Sequence, residues 1–134
     1  MKFNDTAPVM PATLGGPPWL DKLADNATME ATVFLRPLEG KENIRHMINA
    51  AREIYEFQDF IYKGDLGDNF FFESYRSSVQ GKPIEAMVMV HMNEKGEADS
   101  LVINHRPIDA AVLFSKLMHE KVKDRFGDEY LLKP

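Results

Sequence analysis

The sequence predicts a single α+β domain in which a curved antiparallel sheet packs on helices and leaves a small pocket between the layers. Three observations carry this. Residues 41–55 place Ile44, Met47, Ile48, Ala51, Ile54 and Tyr55 on one helical stripe with charged residues opposite, as a helix lying on a sheet requires. From Phe57 the hydrophobic period drops to two through four segments joined by the loops GDLGDN, QGK and NEKG. Connections this short make the strands antiparallel neighbours. A last helical stripe, with Ile108, Ala111, Phe114, Leu117, Met118 and Val122, follows Pro107.

Taken in order, residues 1–16 hold two prolines and a Gly pair without a sustained period. They read as a loosely held tail, or as an arm that anchors on a partner through Phe3, Val9, Met10 and Leu14. Pro17-Pro18 opens a short helix to Leu23 whose Trp19, Leu20 and Leu23 share a face. Thr28–Leu35 is β-branched and reads as a strand ended by Arg36-Pro37. After the helix Lys41–Tyr55 come the strands Phe57–Lys63, Phe70–Val79, Ile84–Met92 and Ala98–His105. Gly127 caps the final helix, so the domain runs 17–127 and 128–134 is a C-terminal tail.

A chain of 134 residues can bury roughly 70% of its unfolded surface, enough for a real core. The net charge of −5 and the lack of a Lys/Arg cluster speak against nucleic acid as a partner. With no cysteine there is no disulfide, thiolate zinc site or thiol nucleophile, which suits a reducing cytoplasm, the expected location. No run of 18 apolar residues and no export-type start occur, so neither membrane insertion nor secretion is expected. No two histidines stand at i,i+4, and Asp65 and Asp68 lack the calcium-loop spacing and read as turn residues, so no metal and no cofactor are expected. His46 and His119 lie on helices among charged neighbours and read as solvated. Arg106 reads as an ion-pair partner near a helix start, or as a clamp for an anionic group.

Two strands have two apolar faces. In Ile84–Met92 one face carries Ile84, Ala86, Val88, Val90 and Met92, and the other carries Glu85, Met87, Met89 and His91. A half-exposed antiparallel sheet shows cleaner alternation than this. Helices cover one face, and no further helix is left for the other. A second copy of the sheet is the economical cover, so a homodimer is expected with Phe72, Met87 and Met89 near its centre and His91 at the interface or surface.

The order strand, helix and four antiparallel strands resembles the nuclear-transport-factor-2-like superfamily, particularly its SnoaL-like branch. The stretches Leu23–Glu30 and Pro37–Ile44, the hairpin Val79-Gln80-Gly81, the turn Asn93–Gly96 and Arg106-Pro107 carry the resemblance, over about residues 17–126. It implies a cone-shaped α+β roll of the cystatin-like kind. The superfamily hosts isomerases, cyclases, dehydratases, epoxide hydrolases and non-catalytic binders, so fold alone names no activity. Where the similar ketosteroid isomerase keeps its aspartate base, this chain has Ala31; where that enzyme has a proton-donating aspartate, it has Val88. The tyrosine partner belongs to a helix that is shortened here, so that mechanism does not carry over. The Asp–Arg–Asp set of limonene epoxide hydrolase is not matched either.

The strand parity of the superfamily implies pocket-facing positions at Met29, Ala31 and Val33, at Phe71, at Val88 and Val90, and at Leu101 and Ile103, with Trp19 at the pocket rim or in the core. Most are apolar, as a site for a small hydrophobic molecule would be. Glu73, Tyr75 and His105 share the same face. They can supply a general base, either Glu73 or His105, with Tyr75 donating a hydrogen bond to a carbonyl or enolate oxygen. They can equally form a structural cluster at the sheet end. The sequence thus leaves two functions open: a cofactor-independent isomerase, cyclase or dehydratase, or a non-catalytic ligand-binding or dimeric interaction module.

Overall fold

The computed structural model describes residues 9–10 and 17–134. Strand β1 is Val9–Met10, and a 3-10 turn covers Pro18–Lys22. Strands β2 (Leu23–Ala31) and β3 (Leu38–Glu39) precede helix α1 (Lys41–Ile54). Strands β4 (Gln58–Leu66), β5 (Phe70–Val79), β6 (Lys82–Met92) and β7 (Ala98–Arg106) lead to helix α2 (Ile108–Phe126). The strands form one curved mixed sheet in the order β1-β4-β5-β6-β7-β2-β3.

The meander β4–β7 is as the loops predict. At the β5–β6 turn Gln80 and Gly81 both have positive φ (48° and 77°), the two-residue turn whose twist suits a hairpin. Asn93 shapes the β6–β7 turn by accepting from the N–H groups of Lys95 (2.9 Å) and Glu97 (3.0 Å). One pairing departs from the antiparallel expectation: β2 runs parallel to β7. Those strands are separated by the whole meander, and so long a crossover leaves strand direction open. The first strand also lies earlier than Thr28–Leu35. It starts at Leu23, bulges before Thr28, and turns where Thr32 N–H reaches Ile103 O (3.0 Å) and Phe34 N–H reaches Ala31 O (3.0 Å). The opening Pro17–Leu23 segment is long enough only for a 3-10 turn.

Both helices pack on one face of the sheet. Helix α1 buries Ile44, Met47, Ile48 and Ala50, while α2 buries Ala110, Ala111, Phe114, Met118 and Val122. Ile108 does not join that stripe; it is 80% exposed in the first turn, and Ala110 takes the inward position. Gly127, at φ 63°, ends α2 with its N–H on Lys123 O (2.8 Å).

The segment 128–134 is not a loose tail. Leu131 is buried, Tyr130 O accepts from Leu35 N–H (2.8 Å), and Leu132 N–H donates to Ser115 Oγ (3.0 Å). The same segment corrects the reading of His119, which is buried and bonded through Nε2 to Asp128 Oδ1 (2.8 Å). That bond holds the Asp128 carboxyl below its ordinary range. His46 is exposed, with its ring edge on Phe126 (5.8 Å). Arg106 pairs with Glu85 across β6 and β7. Of the N-terminal residues, Val9 and Met10 pair with Asp59 and Gln58 of β4; Phe3 and Leu14 lie outside the described residues. Among the described residues no helix is long and apolar enough to cross a membrane.

Candidate functional site

Between the helices and the sheet lies a cavity of about 70 Å³. Its floor is one cross-strand row, Glu73–Val88–Ile103–Ala31, in which each neighbouring pair is directly opposed in register. Tyr75 and His105 stand one pair further along the same face, on either side of Ala86. Helix α1 supplies Ile48 and Arg52 and its C-cap is Tyr55, α2 supplies Phe114 and Met118, and β4 supplies Gln58, Phe60 and Lys63. Pro17, Trp19, Met29 and Val33 also line it.

Eight of the eleven residues that parity turns inward border the cavity, Met29, Ala31, Val33, Glu73, Tyr75, Val88, Ile103 and His105, and so does Trp19. The other three do not, and this is a correction. Phe71, Val90 and Leu101 lie in the next cross-strand row, of which Met29, opposite Leu101, borders the cavity while these three pack into the core. They share the face of the pocket residues but not the depth.

Glu73 is 4% exposed. Its Oε1 accepts a long bond from the Trp19 indole N–H (3.4 Å), and its Oε2 is buried with no hydrogen-bond partner among the described residues. Burial pushes its carboxyl pKa up, against the opposing charge of Lys63 and the Trp19 bond. Tyr75 and His105 do not touch each other; Tyr55 joins them. The Tyr75 hydroxyl donates to the Tyr55 hydroxyl (3.0 Å), which lies 3.3 Å from His105 Nε2. Burial raises both phenols and lowers His105 to about 4, so near neutral pH the relay is uncharged. His105 Nδ1 is buried with no partner among the described residues. The His105 backbone is pinned by its N–H on Thr32 Oγ1 (3.0 Å), and the Phe114 ring lies on Tyr55 (4.7 Å) and beside His105 (5.6 Å).

Sequence reasoning missed Tyr55 as a site residue, placing it only on the helical stripe. A tyrosine closing an apolar stripe must find a partner for its hydroxyl, and that was the available signal. Arg52, Gln58, Phe60, Lys63 and Phe114 were missed as well. Among the described residues no group of three or more His, Asp or Glu is placed to hold a metal ion.

A curved mixed sheet clasping two helices around a pocket is the nuclear-transport-factor-2-like fold, in the α+β class. No protein-family model and no curated protein matches the sequence, but solved structures match the fold. The chain superposes on a steroid delta-isomerase from Pseudomonas aeruginosa with a TM-score of 0.73 at 12% identity, covering 80% of this chain and 79% of that one. A conserved bacterial protein with a cystatin-like fold from Silicibacter pomeroyi also gives 0.73, at 11% identity over 80% and 75% of the two chains. A SnoaL-like protein from Burkholderia thailandensis gives 0.53 at 18% identity, over 66% and 78%. SnoaL-like proteins thus stand among its structural neighbours.

Proposed function

We propose that the chain binds a small, largely hydrophobic carbonyl compound in this cavity and moves protons beside the carbonyl without a cofactor, as isomerases, cyclases and dehydratases do. Glu73 Oε2, buried in the cavity wall with no hydrogen-bond partner among the described residues, carries the reading: such a carboxylate oxygen is poised for a ligand's proton. Glu73 serves as general base better than His105, whose imidazole, held at about 4, attracts a proton too weakly, whereas burial lifts Glu73 toward working pH.

Tyr75 lies two residues along β5 on the same face, about 7 Å away along the strand. That spacing lets the carboxylate face a carbon while the hydroxyl faces the adjoining carbonyl oxygen. With a ligand bound the relay reverses: neutral His105 donates from Nε2 to Tyr55, Tyr55 to Tyr75, and Tyr75 to the ligand oxygen. Glu73 takes the carbon-bound proton, and the enolate oxygen is held by Tyr75. The base sits at the far end of the floor row from Ala31, about 14 Å along the sheet, so the ligand approaches from the opposite wall to that used in ketosteroid isomerase. In deuterium oxide the protein is expected to speed exchange of the protons beside the butanone carbonyl, followed by proton NMR, and Tyr75→Phe to slow that exchange by about 10²-fold. Exchange no faster than in buffer alone would remove the catalytic reading.

The outer sheet face supports the alternative of a dimeric binding or interaction module. Phe72, Met87 and Met89 are half-buried at its centre, beside Phe70 (41% exposed) and Leu66 (48% exposed). His91 lies on this face, its Nδ1 on Asp99 Oδ1 (2.6 Å) and its ring against Phe70 (5.1 Å). Sedimentation at micromolar concentration is expected to give a dimer, and Met89→Lys a monomer. A monomeric parent protein defeats this arrangement.

A further inference from the structure

We infer that the segment after α2 is a strap that limits the size of the cavity's ligand, acting through Ser115, a positioning residue outside the cavity. This rests on the pocket reading above and adds a size class to it. The cavity of about 70 Å³ is about half of the ~150 Å³ that holds a benzene ring, so it admits about three or four carbons and no ring. Part of its wall is the stretch 32–35, whose Val33 and Phe34 line it.

One end of that stretch is fixed by the sheet. Thr32 N–H reaches Ile103 O and Phe34 N–H reaches Ala31 O, both at 3.0 Å. The other end is not held by packing: Leu35, Arg36 and Pro37 are exposed before the chain is buried again at Leu38. There the segment after α2 takes over. Leu35 N–H donates to Tyr130 O (2.8 Å), and Ser115 Oγ donates to Val33 O (2.7 Å). Ser115 Oγ in turn accepts from Leu132 N–H (3.0 Å), so one hydroxyl joins the wall to the segment. The segment is itself anchored, by Leu131 in the core and by Asp128 on His119 Nε2 (2.8 Å).

The chemistry of Ser115 fits a tie and little else. It is fully buried in the middle of α2, where alanine is the better helix former. A hydroxyl at such a site is costly unless bonded, and serines inside helices commonly bond back to the carbonyl four residues earlier. This one gives its proton to Val33 O and a lone pair to Leu132 N–H, two backbone groups of other segments. None of Ser115, Asp128, Tyr130 and Leu132 lines the cavity, so these bonds hold the wall without touching what lies inside it. With the tie cut, the wall is free to pivot about Thr32 and admit a larger ligand.

The test is a pair of ketones, butanone and cyclohexanone, titrated into the full chain. Both are followed by the single indole N–H resonance of Trp19, the sole tryptophan and a lining residue. The parent is expected to bind butanone at least about tenfold tighter than cyclohexanone, the scale on which an apolar pocket rejects an oversized group. Ser115→Ala is expected to lower that affinity ratio about tenfold. The same variant is expected to quicken amide hydrogen exchange at Leu35 and Leu132 about tenfold, as local opening does. Asp128→Ala, an exposed change that breaks the strap at its other anchor, is expected to shift both readouts in the same direction. It decides the matter alone if Ser115→Ala does not fold. A ratio that stays at the parent value in the folded variants overturns the strap, even with faster exchange at Leu35, and leaves the pocket reading standing. A parent that binds both ketones alike overturns the size limit. If neither ketone moves the indole resonance of the parent, the pocket reading falls too.

Discussion

Glu73→Gln is expected to slow butanone deuterium exchange by about 10²–10⁴-fold while leaving the protein at least as stable as its parent. Both halves follow from the same carboxyl. Glutamine keeps the shape and an acceptor oxygen for the Trp19 N–H, but its amide cannot take a proton from carbon. A purely structural carboxylate would show no rate loss. The stability half depends on pH, and its sign comes from the raised pKa. A carboxyl raised above its unfolded value of 4.5 binds its proton more tightly in the native state. Its contribution is therefore fully present below pH 4.5 and is lost as pH rises through the native pKa. Glutamine has no such transition. Urea midpoints at pH 5 and pH 8 are expected to converge at the lower value and to favour the variant at the higher. A variant that unfolds more easily at pH 8 and keeps its exchange rate would make Glu73 a strut between Trp19 and Lys63, and not a base.

Why Glu73 could be named from sequence while Tyr55 could not is a matter of distance along the chain. Strand parity places residues two apart on one face, so Glu73 and Tyr75 follow from the alternation of Phe70–Val79, whose bounds are those of β5. The hairpin Gln80-Gly81 follows from local turn chemistry in the same way. The relay needs three elements at once, since Tyr55 at the end of α1 lies between a residue of β5 and one of β7. Nothing local in the sequence brings them together. The parallel pairing of β2 with β7 and the burial of His119 against Asp128 have the same character, because each is decided by a partner beyond the element itself. Parity also carries no information about depth. Val88 and Val90 share a face, but only Val88 borders the cavity: of the row Phe71–Val90–Leu101–Met29, Met29 alone reaches open space and the core covers the rest. Sequence thus indicates the face of a site well and its floor plan poorly.

Phe114→Ala tests whether that floor plan is held up from the helix side. The ring is 2% exposed, stacks on Tyr55 at 4.7 Å and 25°, and lies 5.6 Å from His105, so it backs two of the three relay groups. Truncating a buried phenylalanine costs about 3–5 kcal/mol, with the larger values where the surroundings cannot close over the space. Here they are poorly placed to close. Tyr55 is held by hydrogen bonds on the sheet side and His105 by its backbone bond to Thr32, so neither can follow the lost ring. The vacated volume adjoins the existing cavity of about 70 Å³, and the sum should approach the ~150 Å³ that accommodates benzene. The urea midpoint of Phe114→Ala is therefore expected to fall by the equivalent of about 3–5 kcal/mol. Excess benzene should restore part of it, because a ligand that binds only the folded form stabilises by mass action. The parent protein, whose cavity is too small, should show no benzene effect. A loss under about 1 kcal/mol without benzene rescue would mean that the helices close over the gap and that the relay is set by the sheet alone.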